Sequence, residues 1–272
     1  MHIILTGTGL VGACALDFLL QEDAVTRVTI ISRRAVPQAE GHDKVTVLIQ
    51  EDLGRYSPET LQRLSGAHGC IWTVGPPQAS VTRAEYEAAH IDLPVAAAKS
   101  FATLNDKFNF VYVSHDQIHT PNSRWVFFLD VKSQAEEVLF QLHHDTSKRL
   151  PLVERPGKPL PHEEALPSLR IYCARPMLID YRKHEAVKPW LKPLTLGKKW
   201  SNWVGLPVYS FFGMTSMIGD SRELGRALVD LSCGDGEDIH VEGVSPEGRC
   251  LGVVGTRNWC KERKPLKASG GK

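Results

Sequence analysis

His2-Ile3-Ile4-Leu5-Thr6-Gly7-Thr8-Gly9-Leu10-Val11-Gly12 stands at the start of the 272-residue chain and decides how the rest is read. His2–Leu5 is a short, mostly apolar run of the kind that forms a strand buried on both faces. The glycines then fall as Gly-x-Gly-x-x-Gly, and an apolar stretch at helical spacing, Leu10–Gln21, follows at once. At a strand-to-helix junction the three glycines do different things. Gly7 turns the chain, Gly9 lets backbone approach a pyrophosphate, and Gly12 lets helix and strand pack closely. The helix start adds free N–H groups and a partial positive charge. Gly7, Thr8, Gly9, Leu10, Val11 and Gly12 are therefore expected to cradle the diphosphate of a dinucleotide.

The same rhythm continues along the chain. Strands are expected at His2–Leu5, Arg27–Ile31, Val45–Ile49, Gly69–Val74, Phe108–Val113 and Leu169–Ala174. Helices are expected at Leu10–Gln21, Pro58–Leu64, Arg83–Leu104, Arg124–His143 and Ser221–Leu231. In the fourth helix Val131, Ala135, Val138, Leu139 and Leu142 share one face, which suits packing on a sheet. Strand and helix in alternation give an α/β fold, a Rossmann-type doubly wound parallel sheet. We expect one extended domain over residues 1–260 with a small C-terminal substrate lobe. Residues 146–168, with five prolines, read as an inserted surface loop, and residues 177–220 as a segment covering the substrate. The basic, Gly-rich tail 261–272 reads as disordered.

The second strand ends in Ser32-Arg33-Arg34, about 20 residues past the turn, where an NAD site usually carries an acidic residue for the ribose 2′-OH. A hydroxyl and two guanidiniums suit a 2′-phosphate instead, so NADP is the expected cofactor. Asp52 and Leu53, after the third strand, are expected to meet the adenine. Val74 and Gly75, after the fourth, are expected to lie along a ribose.

Net charge is +1, from 32 basic and 31 acidic residues, which gives no reason to expect nucleic acid or an anionic membrane as partner. Met1–Leu5 reads as a strand and not as a signal peptide, and no stretch approaches the roughly 20 apolar residues needed to span a bilayer. Six cysteines without zinc-like spacing fit a reduced, cytoplasmic setting. No metal is expected: the near-clusters His143-His144, His115 with His119, and His162 read as surface histidines.

With these residues in hand, the chain resembles the atypical short-chain dehydrogenase/reductase superfamily, and more narrowly its fungal-type NAD(P)-binding, nucleoside-diphosphate-sugar-epimerase-like members. The resemblance rests on MHIILTGTGLVG (1–12), VYVSHD (111–116), VKSQAEEVL (131–139), ARPMLID (174–180) and ELGRALVDLSCGDGE (223–237), and covers residues 1–145 and 168–256. It implies a catalytic serine ending the fifth strand, here Ser114, and a Tyr-x-x-x-Lys pair in the next helix, whose lysine, Lys132, lowers the tyrosine pKa and binds the nicotinamide ribose. It also implies that Arg175, Pro176 and Met177 line the nicotinamide. The tyrosine position is Phe128, which cannot exchange a proton. The glycine turn is one residue shorter than the family's usual TGATGxxG, and His115-Asp116 stands where many relatives have Gly and a small or acidic residue after the serine.

Three readings follow. The chain is an NADP(H)-dependent reductase whose proton comes from another group, with His115 first and Asp116, Tyr112 or a Ser114-held water behind it. Alternatively it performs redox-neutral isomerisation, cyclisation or dehydration on a hydrophobic metabolite bound by Trp190, Trp200, Trp203, Tyr209, Phe211 and Phe212. In the third reading it binds the cofactor without catalysis. The resemblance points to a small secondary-metabolite substrate and a monomer or homodimer.

Overall fold

The computed structural model describes residues 1–116, 118, 126–153, 160–191 and 215–263. Seven parallel strands lie side by side: β1 (His2–Thr6), β2 (Arg27–Ser32), β3 (Val45–Ile49), β4 (Gly69–Trp72), β5 (Phe108–Val113), β6 (Leu169–Ala174) and β9 (Cys250–Leu251). Their order is β3-β2-β1-β4-β5-β6-β9. The chain thus builds outward from β1 in one direction, returns, and builds outward in the other. The border of β1 and β4 is the switch point, where such sheets open a crevice at their carboxyl ends.

Alternation along the strands feeds two cores. Ile4, Cys70, Phe110 and Ile171 point to one face, beneath α4 (Leu93–Phe101) and α5 (Phe127–Gln141). Ile3, Leu5, Ile71, Val111 and Tyr172 point to the other, beneath α1 (Leu10–Gln21) and α6 (Ser221–Cys233). The expected stripe of α5, Val131, Ala135, Val138, Leu139 and Leu142, is fully buried. The sequence-based strands and the helices α1 and α2 (Pro58–Leu64) fall where they were expected, within two residues at each end.

The expected helix over 83–104 is interrupted. It divides into α3 (Arg83–Glu87), a π-helical turn Ala88–Asp92, and α4. Pro94 is the cause: it has no N–H for the carbonyl four residues back, that of His90, and its ring crowds that oxygen. The chain inserts an extra residue instead, so the Leu93 amide donates to the Ala88 carbonyl, and the Tyr112 hydroxyl donates to the freed His90 carbonyl at 3.3 Å. Four further elements carried no signal in the sequence. They are β7 (Leu178–Asp180) and β8 (Ile218–Asp220), which pair in a second small parallel sheet, β9, and α7 (Val253–Glu262). Lys261 and Glu262 therefore end a helix, although the sequence placed them in a disordered tail. Among the described residues, no helix is long and apolar enough to cross a membrane.

Candidate cofactor and catalytic site

The glycine turn has the form its spacing demands. Gly7 sits at φ +86°, in the left-handed region, and a Cβ at Gly12 would collide with the Gly7 carbonyl. Around Gly9, by contrast, an added Cβ meets nothing within 4 Å, and Thr8 and Gly9 are exposed. No side chain caps α1 and no acidic residue stands in its first turn, which leaves the amides of Leu10, Val11 and Gly12 for an external anion. One contributor was not read from the sequence: the Thr73 hydroxyl, just past β4, donates to the Thr6 carbonyl at 2.8 Å and to the Gly7 carbonyl at 3.1 Å, fastening the turn to the neighbouring strand.

At the β2 end, Ser32 is buried and its Oγ accepts from the Arg34 amide at 3.2 Å. Arg33 and Arg34 are exposed, and no carboxylate among the described residues pairs with either. The adenine corner differs from expectation. Asp52 accepts from the Gly54 amide at 2.8 Å and faces Arg55 at 3.7 Å, while Leu53 turns into the core. Ile49, the register partner of Ser32, is 60% exposed and offers the apolar surface that Leu53 does not. The run Val45-Thr46-Val47-Leu48-Ile49 hid this, since its last two residues look alike in sequence but face opposite ways.

The β4–β5 side gathers residues from four segments. Val74 is half-buried and Gly75 exposed at the end of β4. Ser114 is 3% exposed, its amide donates to the Ala174 carbonyl at 2.8 Å, and its Oγ has no hydrogen-bond partner among the described residues. Lys132 Nζ donates to the Val113 carbonyl at 3.1 Å and lies 5.6 Å from the centre of the Tyr112 ring. Burial pulls its ammonium down to about 8, partly offset by Glu136. Phe128, one turn before Lys132, meets the His115 ring edge to face at 5.5 Å.

Several expected roles change here. Burial first, and Lys132 second, lower His115 to about 4, so it is a neutral imidazole at pH 7 and not a group titrating near neutrality. Tyr112 is fully buried and its hydroxyl is spent on the His90 carbonyl; burial raises it well above 10. Asp116 lies against Gly252 and the first amide of α7, tying the β5 edge to that helix; burial raises its carboxyl above the ordinary range despite Arg175 and the Val253 amide. The Arg175 guanidinium is taken by the buried Glu136, with Nε to Oε1 at 3.0 Å, which leaves only backbone for a ligand; Pro176 and Met177 are half-buried beside it. Among the metal-ligating side chains described, Glu136, Cys173 and Cys250 come together, but that guanidinium already occupies the carboxylate.

Histidines expected at the surface are partly interior. His143 is fully buried and its Nδ1 accepts from the Ile171 amide at 3.0 Å; burial lowers it to about 3. His184 joins Asp17 and Ser221, each at 3.0 Å, in a Ser-His-Asp arrangement. Ser221 is fully buried at the start of α6, so the trio clamps α1, α6 and the 181–191 segment and presents no nucleophile. His119, Trp200, Trp203, Tyr209, Phe211 and Phe212 lie outside the described residues. Trp190 is exposed. A cavity of about 190 Å³ lies by the small sheet, lined by Asp180, Lys183, Ile218, Asp220, Glu223 and Arg257; it is charged and holds no expected site residue.

No protein-family model matches the chain. It is 63% identical over 263 residues to leucinostatins biosynthesis cluster protein T of Purpureocillium lilacinum, a match covering 97% of this chain and 96% of that protein. The chain belongs to that protein's family. Among solved structures, it shares its fold with short-chain dehydrogenases/reductases. One from Saccharomyces cerevisiae superposes at a TM-score of 0.55 with 15% identity, over 92% of this chain and 94% of that one. A candidate 2-deoxy-D-gluconate 3-dehydrogenase from Agrobacterium tumefaciens, solved with NADP bound, gives 0.55 and 13% over 85% and 88%. At such identities the likeness establishes the Rossmann-type fold.

Proposed function

We propose that the chain binds NADP(H) along the carboxyl edge of its sheet and acts as a reductase-type enzyme on a small apolar intermediate of secondary metabolism. In this reading it works in the cytoplasm as a monomer or homodimer, in one extended domain over residues 1–260. The observation that carries it is the Gly7–Gly12 turn: two glycines that no other residue could replace, one glycine facing open space, and an uncapped helix start aimed at that space. Arg33 and Arg34 suit a 2′-phosphate. The NADP bound by the Agrobacterium structure and the biosynthetic cluster named for the 63% relative support cofactor and pathway class respectively.

When bound, the cofactor supplies a hydride; the chain's own groups must bind, orient and handle the proton. Backbone amides of Leu10, Val11 and Gly12 hold the diphosphate. Ser114 Oγ, buried and unpartnered among the described residues, is placed to hydrogen-bond a reacting oxygen. Phe128 is inert, Tyr112 is locked, His115 is uncharged at neutral pH and Asp116 is engaged by the Val253 amide, which leaves Lys132, at about 8, as the acid at this edge. Phe128 also favours a second reading, redox-neutral isomerisation, cyclisation or dehydration on the same scaffold.

Fluorescence titration of the purified chain with NADPH and NADH tests the proposal. NADPH should bind at least about tenfold more tightly, the margin of one charge-assisted contact, and Lys132→Met should weaken NADPH binding while leaving the melting temperature near that of the parent. Failure of both nucleotides to bind at millimolar concentration would sink the reading.

A further inference from the structure

His90 is absent from every site considered so far, yet its surroundings are those of a ligand-binding group. It is 3% exposed, and neither ring nitrogen meets hydrogen-bond geometry with a described residue, the Pro76 backbone pulling on the ring only weakly. Leaving both nitrogens of a buried imidazole unpaired is costly. The ring packs on Tyr86 with centroids 4.2 Å apart, and its Cε1, flanked by the two nitrogens, points at Gly75: a Cβ there would stand 2.4 Å from Cε1, 3.0 Å from Nε2 and 3.4 Å from Nδ1. Glycine at position 75 is thus what allows the imidazole to reach the backbone of the sheet's ligand edge. The π-helical turn forced by Pro94 puts His90 there, and such turns recur at functional sites. Lys132, on α5, is close enough to depress the His90 ring electrostatically.

Topology says which part of a ligand would meet it. A dinucleotide spans the switch point with one nucleotide over each half of the sheet. Arg33 and Arg34 at the β2 end claim the phosphorylated adenosine half, so the second nucleotide lies over β4 and β5, beside Gly75, His90, Ser114 and Lys132.

We propose that His90 is a further binding residue of this site, its ring nitrogens hydrogen-bonding a ribose hydroxyl on the second, nicotinamide-bearing half of the dinucleotide. The inference rests on the cofactor reading above. Burial, with Lys132 adding to it, lowers the imidazole to about 3 against a weak opposing pull from the Pro76 backbone. It therefore stays uncharged at neutral pH and orients a hydroxyl by donating or accepting one hydrogen bond, without transferring a proton.

The test compares parent, His90→Leu and His90→Gln full-length proteins for binding of NADPH and of adenosine 2′,5′-bisphosphate, which lacks the second nucleotide, together with their melting temperatures. His90→Leu removes two orphaned polar atoms at similar volume. It should leave the melting temperature unchanged or higher while weakening NADPH about tenfold, with the bisphosphate unaffected. His90→Gln should recover most of the lost affinity. Unchanged NADPH affinity in His90→Leu, or equal weakening of both ligands, overturns the assignment of His90 alone. A parent protein that binds neither ligand overturns the cofactor reading itself.

Discussion

The two halves of the sheet's carboxyl edge are built in opposite ways. On the β1–β2 side the candidate site is local: one unbroken stretch, Thr6–Gly12, turns on its own glycines, and Arg33 and Arg34 follow directly from the next strand. On the β4–β5 side Gly75, His90, Ser114 and Lys132 come from four segments and meet only in the folded chain. The first half is exposed and relies on backbone amides and fixed charges. The second is buried and relies on groups whose protonation burial has shifted. In the proposed reading the contrast separates holding a cofactor, which steric rules write into a few consecutive residues, from acting on a substrate, which needs a desolvated pocket.

Acid should break the second half first. His90 and His115 are lowered to about 3 and about 4 in the fold, against 6.5 when unfolded. Above pH 6.5 neither costs anything. Below it the unfolded chain binds protons that the native state refuses, so stability falls as pH drops from 6.5 toward 3. Each group can contribute up to about 1.4 kcal/mol per pH unit, so thermal melts at pH 7, 6 and 5 should show a steep decline. A flat melting temperature over that range would mean that these rings are solvated.

Gly12→Ala attacks the other half. Its methyl would strike the Gly7 carbonyl, and overpacking of this kind costs about 1–3 kcal/mol, a fall of several degrees for a chain of this size, with NADPH binding lost. Gly9→Ala serves as its control, because the methyl enters open space: the melting temperature should hold while NADPH affinity falls. If both variants melted alike and bound alike, the turn would not be a cradle.

The smallest effect is expected from Arg33→Ala with Arg34→Ala. Charge-assisted hydrogen bonds contribute about 1.5–3 kcal/mol, so NADPH should weaken roughly 10- to 100-fold while NADH and the melting temperature stay close to the parent. Equal weakening of the two nucleotides would show that these guanidiniums do not read the 2′-phosphate.

Much of this was legible from residue order alone. Six strands and the α1 helix could be read because parallel strands buried on both faces are apolar runs, and because a helix beginning at Gly9 needs the glycines that precede it. Lys132 and Ser114 could be placed only through resemblance, as could the missing tyrosine at Phe128. The missed strands share a physical cause. β7, β8 and β9 are two or three residues long, too short for a period, and exist because neighbouring strands offer them partners. Pro94 was visible, but its consequence for His90 depended on Tyr112, whose hydroxyl takes the freed carbonyl from another strand.

By itself, then, the order of residues determined the turn, the sheet and the positive charge at the end of β2, since these follow from sterics and charge within a few neighbouring positions. Only tertiary structure decided which histidines are neutral, that Arg175 is spent on Glu136 and that His90 lies behind Gly75. Burial and pairing belong to residues far apart in the chain, and desolvation acts only once the fold has brought them together.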